Sequence, residues 1–308
     1  MTLKTLLQSF RSSANRLGAW GPAKRSHRRR RSHLPVKTQV ELLDERILLA
    51  AAFSSETDQS QVAAAFLAAA LDGTTPAPIT GEIRLNDQTR GLQQTGRIST
   101  SVAPLANGTF IATWQSIPQD GSGWGIYAQT FDPSGILDSP DFKANTTTKW
   151  SQKNSVVAST ADGRFVIVWQ GSGRHVTEIF AQRFSAEGLP VGGEILVNST
   201  TRGIQWLTSV AMSADGSFVV AWQGNGAGDR HGIFARRFSA DGIAVTGELR
   251  VAETSKRLQM TPAIASDSTG KFAVAWFGRG TGDLRGVFVR SFDANGQPLS
   301  QNTTVPYS

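Results

Sequence analysis

The sequence predicts an all-β protein, a four-bladed β-propeller-like array of four-stranded antiparallel repeats, and three observations support this. Tryptophans recur at intervals of 55, 53 and 54 residues, at Trp114, Trp169, Trp222 and Trp276. Turn-forming pairs recur at a fixed distance before them. The strand between turn and tryptophan is apolar on both faces, which is typical of a sheet covered on both sides. A period slightly above fifty is the size of a propeller blade.

Composition excludes several kinds of chemistry. The 308 residues include no cysteine, so disulfides and thiolate catalysis are excluded. Four histidines and scattered carboxylates supply a zinc site poorly. The loops after the tryptophans hold single acids, whereas a calcium loop concentrates several oxygen ligands. We therefore expect no cofactor and no metal, and we interpret His175 and His231 as exposed polar residues.

Positive charge is concentrated at the N-terminus. The first 40 residues contain ten Lys/Arg and no acid, whereas residues 41–308 carry 21 Lys/Arg against 24 Asp/Glu. A nucleic-acid-binding domain usually carries its basic surface on the folded part, so we expect no nucleic-acid partner. The basic segment fits the n-region of an export signal, an organelle transit peptide, or an arm that binds nucleic acid or a membrane surface.

Residues 43–49 carry a resemblance to a known motif. Leu43, Arg46, Leu48 and Leu49 match the LEPR-XLL motif of bacterial secreted and surface proteins, with Asp44 in place of its glutamate and Glu45 in place of its proline. The resemblance implies a secreted or cell-surface location and an export or sorting machinery as partner. It implies that residues 1–53 are a targeting leader, and it implies no enzymatic activity.

Residues 54–80 form a connection to the repeats. Val62, Phe66 and Leu67 lie on one stripe of a predicted helix over residues 58–71, which is too short to span a bilayer. The helix is interpreted as a spacer, with a partner-docking or membrane-surface helix as the alternative. Thr74–Thr80, with Pro76 and Pro78, is predicted to be a linker.

Four repeats are predicted over residues 81–138, 139–191, 192–245 and 246–308. Two-residue hairpins are expected at Asn107-Gly108, Asp162-Gly163 and Asp215-Gly216, and a longer turn at Asp267–Gly270. The first strand of each repeat is taken as Gly-Glu-Ile at Gly81–Ile83 and Gly193–Ile195, or its equivalents Gly247–Leu249 and the divergent Pro140–Phe142. Leu299–Pro306 resembles the start of a fifth repeat. Residues expected to pack between blades are the four tryptophans and Phe131, Phe184, Phe238 and Phe292.

Candidate binding residues lie in loops expected at one end of the blades. The loops between the first and second strands and between the third and fourth strands emerge on the same side of an up-and-down blade. Their cations are Arg90, Lys149, Arg202, Lys256, Arg174, Arg230, Arg279 and Arg285. Such a ring suits an anionic or polyhydroxylated surface polymer, or a protein. Solvated charge that keeps a sheet edge soluble is an equal alternative.

The repeated acids Glu82, Asp141, Glu194 and Glu248 are expected to close turns, because an active site is needed only once. The sequence alone therefore favours a non-catalytic binding or scaffolding protein. A glycan-active hydrolase or lyase on the same scaffold is the alternative, through fold analogy.

Overall fold

The computed structural model describes residues 82–87, 89–96, 100–117, 119, 121–137, 140–173, 176–254, 259–280, 282–299 and 303–304. The leader with its LEPR-XLL-like motif, the helix over residues 58–71 and the linker lie outside the described residues. Those expectations remain predictions. Within the described part, no helix is long and apolar enough to cross a membrane.

The described chain is almost entirely β-structure. One short 3-10 helix, Ala106–Gly108, precedes β3. The strands are β1 (Leu92–Gln94), β2 (Val102–Pro104), β3 (Phe110–Ile117), β4 (Gly125–Phe131), β5 (Phe142–Lys143), β6 (Ser151–Ser159), β7 (Phe165–Ser172), β8 (Thr177–Phe184), β9 (Pro190–Leu196), β10 (Gln205–Met212), β11 (Phe218–Gly226), β12 (Asp229–Phe238), β13 (Leu249–Arg250), β14 (Gln259–Ser266), β15 (Phe272–Gly280), β16 (Asp283–Phe292) and β17 (Thr303–Thr304).

The strands form four antiparallel sheets, which confirms the predicted propeller-like array. Sheet 1 contains β1–β5, sheet 2 β6–β9, sheet 3 β10–β13 and sheet 4 β14–β17. Within each sheet the strands follow chain order, except that β1 and β2 both pair with β3. The gap between β1 and β2 matches a bulge in the first strand of the other three sheets.

The sheets are offset by one strand from the repeats delimited in the sequence. In the second, third and fourth repeats, the segment taken as the first strand is instead the last, outer strand of the preceding sheet. In the first repeat, residues 82–83 do not belong to a strand. Leu249–Arg250 thus pairs with β12 of sheet 3, and Thr303–Thr304 pairs with β16 in the same register. Hydrogen-bond pairing causes the offset, because each outer strand pairs with the third strand of the sheet that precedes it in the chain.

Three hydrophobic cores fill the spaces between successive sheets. Trp222 and Phe218 of β11 pack toward sheet 2, whereas Val219 and Ala221 of the same strand pack toward sheet 4. The tryptophans expected to pack between blades are buried, with at most 6% exposure. Phe184, Phe238 and Phe292 are also buried and stack on Phe165, Phe218 and Phe272, with centroids 4.9–5.0 Å apart. Phe131 is half-buried and stacks on Phe110.

The Asp-Gly hairpins use a different turn from the one expected. Gly163 N–H donates to Thr160 O and Thr160 N–H donates to Arg164 O, so five residues separate β6 from β7 instead of two. Gly163 has φ of 90°, which only glycine adopts readily. The Arg164 side chain hydrogen-bonds to Asp162 and lowers the pKa of that carboxyl to about 2. This side-chain bonding stabilises the wider turn.

Candidate functional site

One end of sheet 3 contains a recess where two loops meet. We call this end of the sheets the loop end: it holds the connection into each first strand and the hairpin between the second and third. In sheet 3 these are residues 200–204 and 226–229. The recess has a volume of about 300 Å³, and its lining consists of Thr200, Arg202, Asn225, Gly226, Gly228, Asp229 and Arg230.

Gln205 holds the two loops of the recess together. Its side-chain amide donates to Thr200 O at 3.1 Å and to Asn225 O at 2.9 Å. Its Oε1 accepts a hydrogen bond from Trp222 Nε1 at 3.1 Å. Gln205 is fully buried, so these bonds connect the recess directly to the core between sheets 2 and 3.

The same glutamine occurs in every copy, although the sequence analysis did not identify it. Gln93, Gln152 and Gln259 donate to the carbonyls of Arg90, Lys149 and Thr254. The signal was present in the sequence, because each glutamine follows the basic loop residue by three positions. A repeated polar residue at a strand start is easily taken for surface, since periodicity does not show burial.

One carboxylate, Asp229, lines the recess, and a second, Glu248, lies close to it. Asp229 is 6% exposed; its Oδ1 accepts from His231 N–H at 2.9 Å, and its buried Oδ2 has no hydrogen-bond partner among the described residues. Glu248 lies behind Gly226, where an added β-carbon would be 2.7 Å from Glu248 Oε1. Glycine at position 226 therefore lets Glu248 approach the recess floor.

The repeated acids of the outer strands connect neighbouring sheets. Glu248 accepts hydrogen bonds from the backbone N–H groups of Ser199 and Thr200. Glu194 accepts from Thr147 N–H and Oγ1 in the same way. Burial raises the pKa of Glu194, but the bonds from Thr147 and Thr146 outweigh it and leave the pKa below the usual value. Asp141 and Asp87 exchange backbone N–H bonds with each other's side chains.

The structure brings together two of the candidate binding residues, Arg202 and Arg230, in one recess. Arg250 also lies close, 3.7 Å from a β-carbon added at Gly228. Arg90, Lys149 and Arg285 are exposed, each in a loop-end segment of its own sheet, and Arg279 is half-buried near the end of β15. Arg174, His175 and Lys256 lie outside the described residues. Among the described residues, no group of three or more His, Asp or Glu could hold a metal ion.

Comparison with known proteins gives structural likeness only. No protein-family model matches the chain, and no curated protein sequence matches it. An α-L-arabinofuranosidase from Fusarium graminearum, bound to an iminosugar inhibitor, is 12% identical with a TM-score of 0.47, over 67% of this chain and 66% of that one. An α-L-arabinofuranosidase from Podospora anserina in complex with cellotriose is 13% identical with a TM-score of 0.41, over 72% and 70%. For an endo-arabinase from Bacteroides thetaiotaomicron, 13% identical, the TM-score is 0.39, over 64% and 72%.

These comparisons correct one expectation from the sequence. The chain was expected to have no chemistry of its own, because its acids are repeated and an active site is needed once. Against that expectation, the solved structures that share the fold are named as α-L-arabinofuranosidases and an endo-arabinase. Repetition was a poor guide because it describes the sheet scaffold, whereas the recess was found only in the tertiary structure.

Proposed function

We propose that this protein is glycan-active and that the recess of sheet 3 binds an acidic polysaccharide. The observation that carries the proposal is the convergence of Arg202 and Arg230 on one recess, with Thr200 and Asn225 between them. Guanidinium groups pair with carboxylates in a planar, two-pronged geometry. Hydroxyl and amide groups exchange hydrogen bonds with sugar hydroxyls. A recess with both kinds of group suits a sugar that carries a carboxylate.

Buried hydrogen bonds hold the two loops of the recess in place. This favours a preorganised binding site over two loops that are close by chance. Gln205 connects both loops to Trp222, and Glu248 holds the backbone of Ser199 and Thr200. A site held by buried hydrogen bonds loses less conformational entropy when a ligand binds. We expect moderate affinity for one sugar unit, and greater retention of a polymer that contacts several sheets.

Replacing both arginines tests the binding proposal. In the full chain, Arg202→Gln with Arg230→Gln should weaken the apparent Kd for polygalacturonate, alginate or hyaluronan by at least tenfold, on the order of 1.4 kcal/mol. The salt dependence of the remaining binding should also fall. The matched control is Arg164→Gln with Lys271→Gln, which removes the same charge from turns at the other end of the sheets. Equal effects of both pairs would contradict a specific site.

Glycan cleavage is the second candidate, and Asp229 favours it. Glycoside hydrolysis commonly uses two carboxyl groups, one acting as general acid and the other as base or nucleophile. Asp229 lines the recess, and its buried Oδ2 has no hydrogen-bond partner among the described residues, so it is the carboxylate that would act on the substrate. Glu248 is occupied by backbone N–H groups. In this reading Asp229 gives its proton to the glycosidic oxygen as the bond to the anomeric carbon breaks, and the water that adds to that carbon returns a proton to Asp229. Glu248 fixes the loop.

The chain offers a close control for Asp229. Asp283 holds the equivalent place in sheet 4, where its Oδ1 accepts from Arg285 N–H at 2.8 Å. Release of reducing ends from the same three polymers should fall at least a hundredfold in Asp229→Asn and stay near the parent value in Asp283→Asn. If the parent chain releases no reducing ends, or if both variants release them equally, the cleavage proposal is contradicted. The binding proposal is tested separately by the arginine variants.

The leader adds a proposal about location. Residues 1–53 carry the basic segment and the LEPR-XLL-like motif, which support delivery to the cell surface or export. Cell fractionation with N-terminal sequencing of the mature protein tests this. A soluble intracellular protein with an intact N-terminus would contradict it.

A further inference from the structure

Trp150 has a backbone conformation that two of the other three copies give to glycine. It precedes β6 and has φ of 71°. The equivalent residues of the first and third copies, Gly91 and Gly203, have φ of 84° and 89°. A bulky residue in this left-handed region is an outlier and destabilises the folded chain relative to glycine.

Burial does not offset this strain. The Trp150 side chain is 45% exposed, whereas the four repeated tryptophans have at most 6% exposure. A large indole that is both strained and half in solvent contributes little to packing. Such a combination is a reason to look for a function of the side chain.

The neighbouring hairpin holds the turn of Trp150 in place. Gln152 N–H donates to Trp124 O at 2.7 Å, and the Gln152 side chain donates to Lys149 O at 3.0 Å. Gly123 allows the close approach, because a β-carbon there would lie 3.1 Å from Trp150 O. The indole therefore projects from a turn tied to two sheets.

Two ammonium groups accompany two indoles at this place. Lys149 Nζ lies 5.9 Å from the centroid of the Trp150 ring, and Lys153 Nζ lies 5.3 Å from that of Trp124. Trp124 is half-buried, so part of its surface also reaches solvent. These distances place positive charge beside flat apolar surfaces.

We infer that Trp150, Trp124, Lys149 and Lys153 form a second binding site, for a hexuronic acid unit of a polysaccharide. The apolar C–H face of a pyranose ring stacks on an exposed indole, and its carboxylate pairs with an ammonium group. A single-stranded nucleic acid would use the same groups. The polysaccharide is favoured because the recess of sheet 3 is proposed to bind the same class of polymer, and binding of a nucleic acid is the alternative outcome of the test. The choice of a polysaccharide as ligand rests on the proposed function, whereas the site itself is argued from the two tryptophans and two lysines.

Trp150→Gly should weaken polysaccharide binding without lowering thermal stability, so the experiment measures both. Affinity electrophoresis of the full chain in polygalacturonate, alginate and hyaluronan should show at least tenfold weaker retention for this variant in the polymer that binds the parent best. The midpoint of thermal unfolding should stay equal or rise, because the strain is relieved. Trp150→Phe should retain most of the binding. Leu189→Ala, which removes an exposed apolar side chain at the other end of sheet 2, is the control and should change neither readout.

The lysines separate charge from stacking. Lys149→Gln with Lys153→Gln should weaken retention by the acidic polymer and leave retention by its carboxyl-reduced form unchanged. The inference is overturned by unchanged retention of Trp150→Gly, by a parent chain that binds none of the three polymers, or by tighter binding to oligo-thymidylate than to any of them.

The recess of sheet 3 is tested separately by its arginine pair. If Arg202→Gln with Arg230→Gln loses binding while Trp150→Gly retains it fully, the second site is contradicted and the proposed function stands. If the arginine variant retains binding while Trp150→Gly loses it, the recess is contradicted as a binding site and the second site stands.

Discussion

Trp222 and Trp206 both belong to sheet 3, but they have opposite surroundings. Trp222 is fully buried between sheets 2 and 3, and its counterparts are buried in every copy. Trp206 is 44% exposed at the loop end, and Lys153 and Met260 take its place in the neighbouring sheets. Residues between sheets are repeated because each sheet packs on an equivalent neighbour. Loop-end residues have no such constraint, so that end can carry chemistry found in one copy only.

Replacing Trp222 should have the largest effect on stability. Trp222→Ala is expected to lower the free energy of unfolding by about 3–5 kcal/mol, because it removes a buried ring and leaves a cavity. Trp206→Ala should lower it by less than about 1 kcal/mol. Urea unfolding of the full chain followed by circular dichroism measures both. Similar losses in the two variants would abolish the distinction between core and loop end.

Asn198 tests the connection between adjacent sheets. Its Oδ1 accepts from Ile179 N–H at 2.7 Å, and its amide donates to Thr200 O at 3.0 Å. Asn198→Ala should cost about 2 kcal/mol, because a buried donor and acceptor lose their partner. Asn145 has the same bonds in the preceding copy, so Asn145→Ala should cost about as much. A negligible loss for both would mean that the backbone finds other partners.

Gln223 is a buried residue whose replacement should raise stability, in contrast to the replacement of Trp222. It is fully buried, and neither of its side-chain polar atoms has a hydrogen-bond partner among the described residues. Phe277 holds the equivalent position in sheet 4. Gln223→Met should therefore raise stability by about 1 kcal/mol. A clear loss in urea unfolding would show that the amide is satisfied in solution.

Glu194 should give the smallest effect, and one that depends on pH. Its folded pKa lies below 4.5, so the stability it contributes is present above pH 4.5 and is lost as the pH falls through the folded value. Glu194→Gln should cost less than about 1 kcal/mol at pH 7, since the group is partly exposed. The difference from the parent should shrink below pH 4.5. A difference that is constant from pH 7 to pH 3 would exclude this role.

Sequence periodicity predicted the scaffold well for a local reason. The alternation of Phe218, Val220 and Trp222 with Val219 and Ala221 reports which residues lie between sheets, and the structure places them in two separate cores. The same periodicity placed the boundaries between repeats one strand away from the boundaries between sheets. An outer strand and its sheet are joined by hydrogen bonds between segments distant along the chain, and side-chain pattern does not encode that pairing.

The sequence by itself thus determined the all-β class, four sheets and the residues between them, because these follow from short-range alternation and turn chemistry. Only the tertiary structure decided which loop residues meet. Arg202 and Arg230 are 28 positions apart but line the same recess, and Glu248 approaches Gly226 of that recess from a different segment. The strain at Trp150 was indicated in the sequence only by the glycines at positions 91 and 203, and the structure was needed to show it. A φ angle depends on the turn that hydrogen bonds to a neighbouring hairpin impose, and residue type alone does not reveal it.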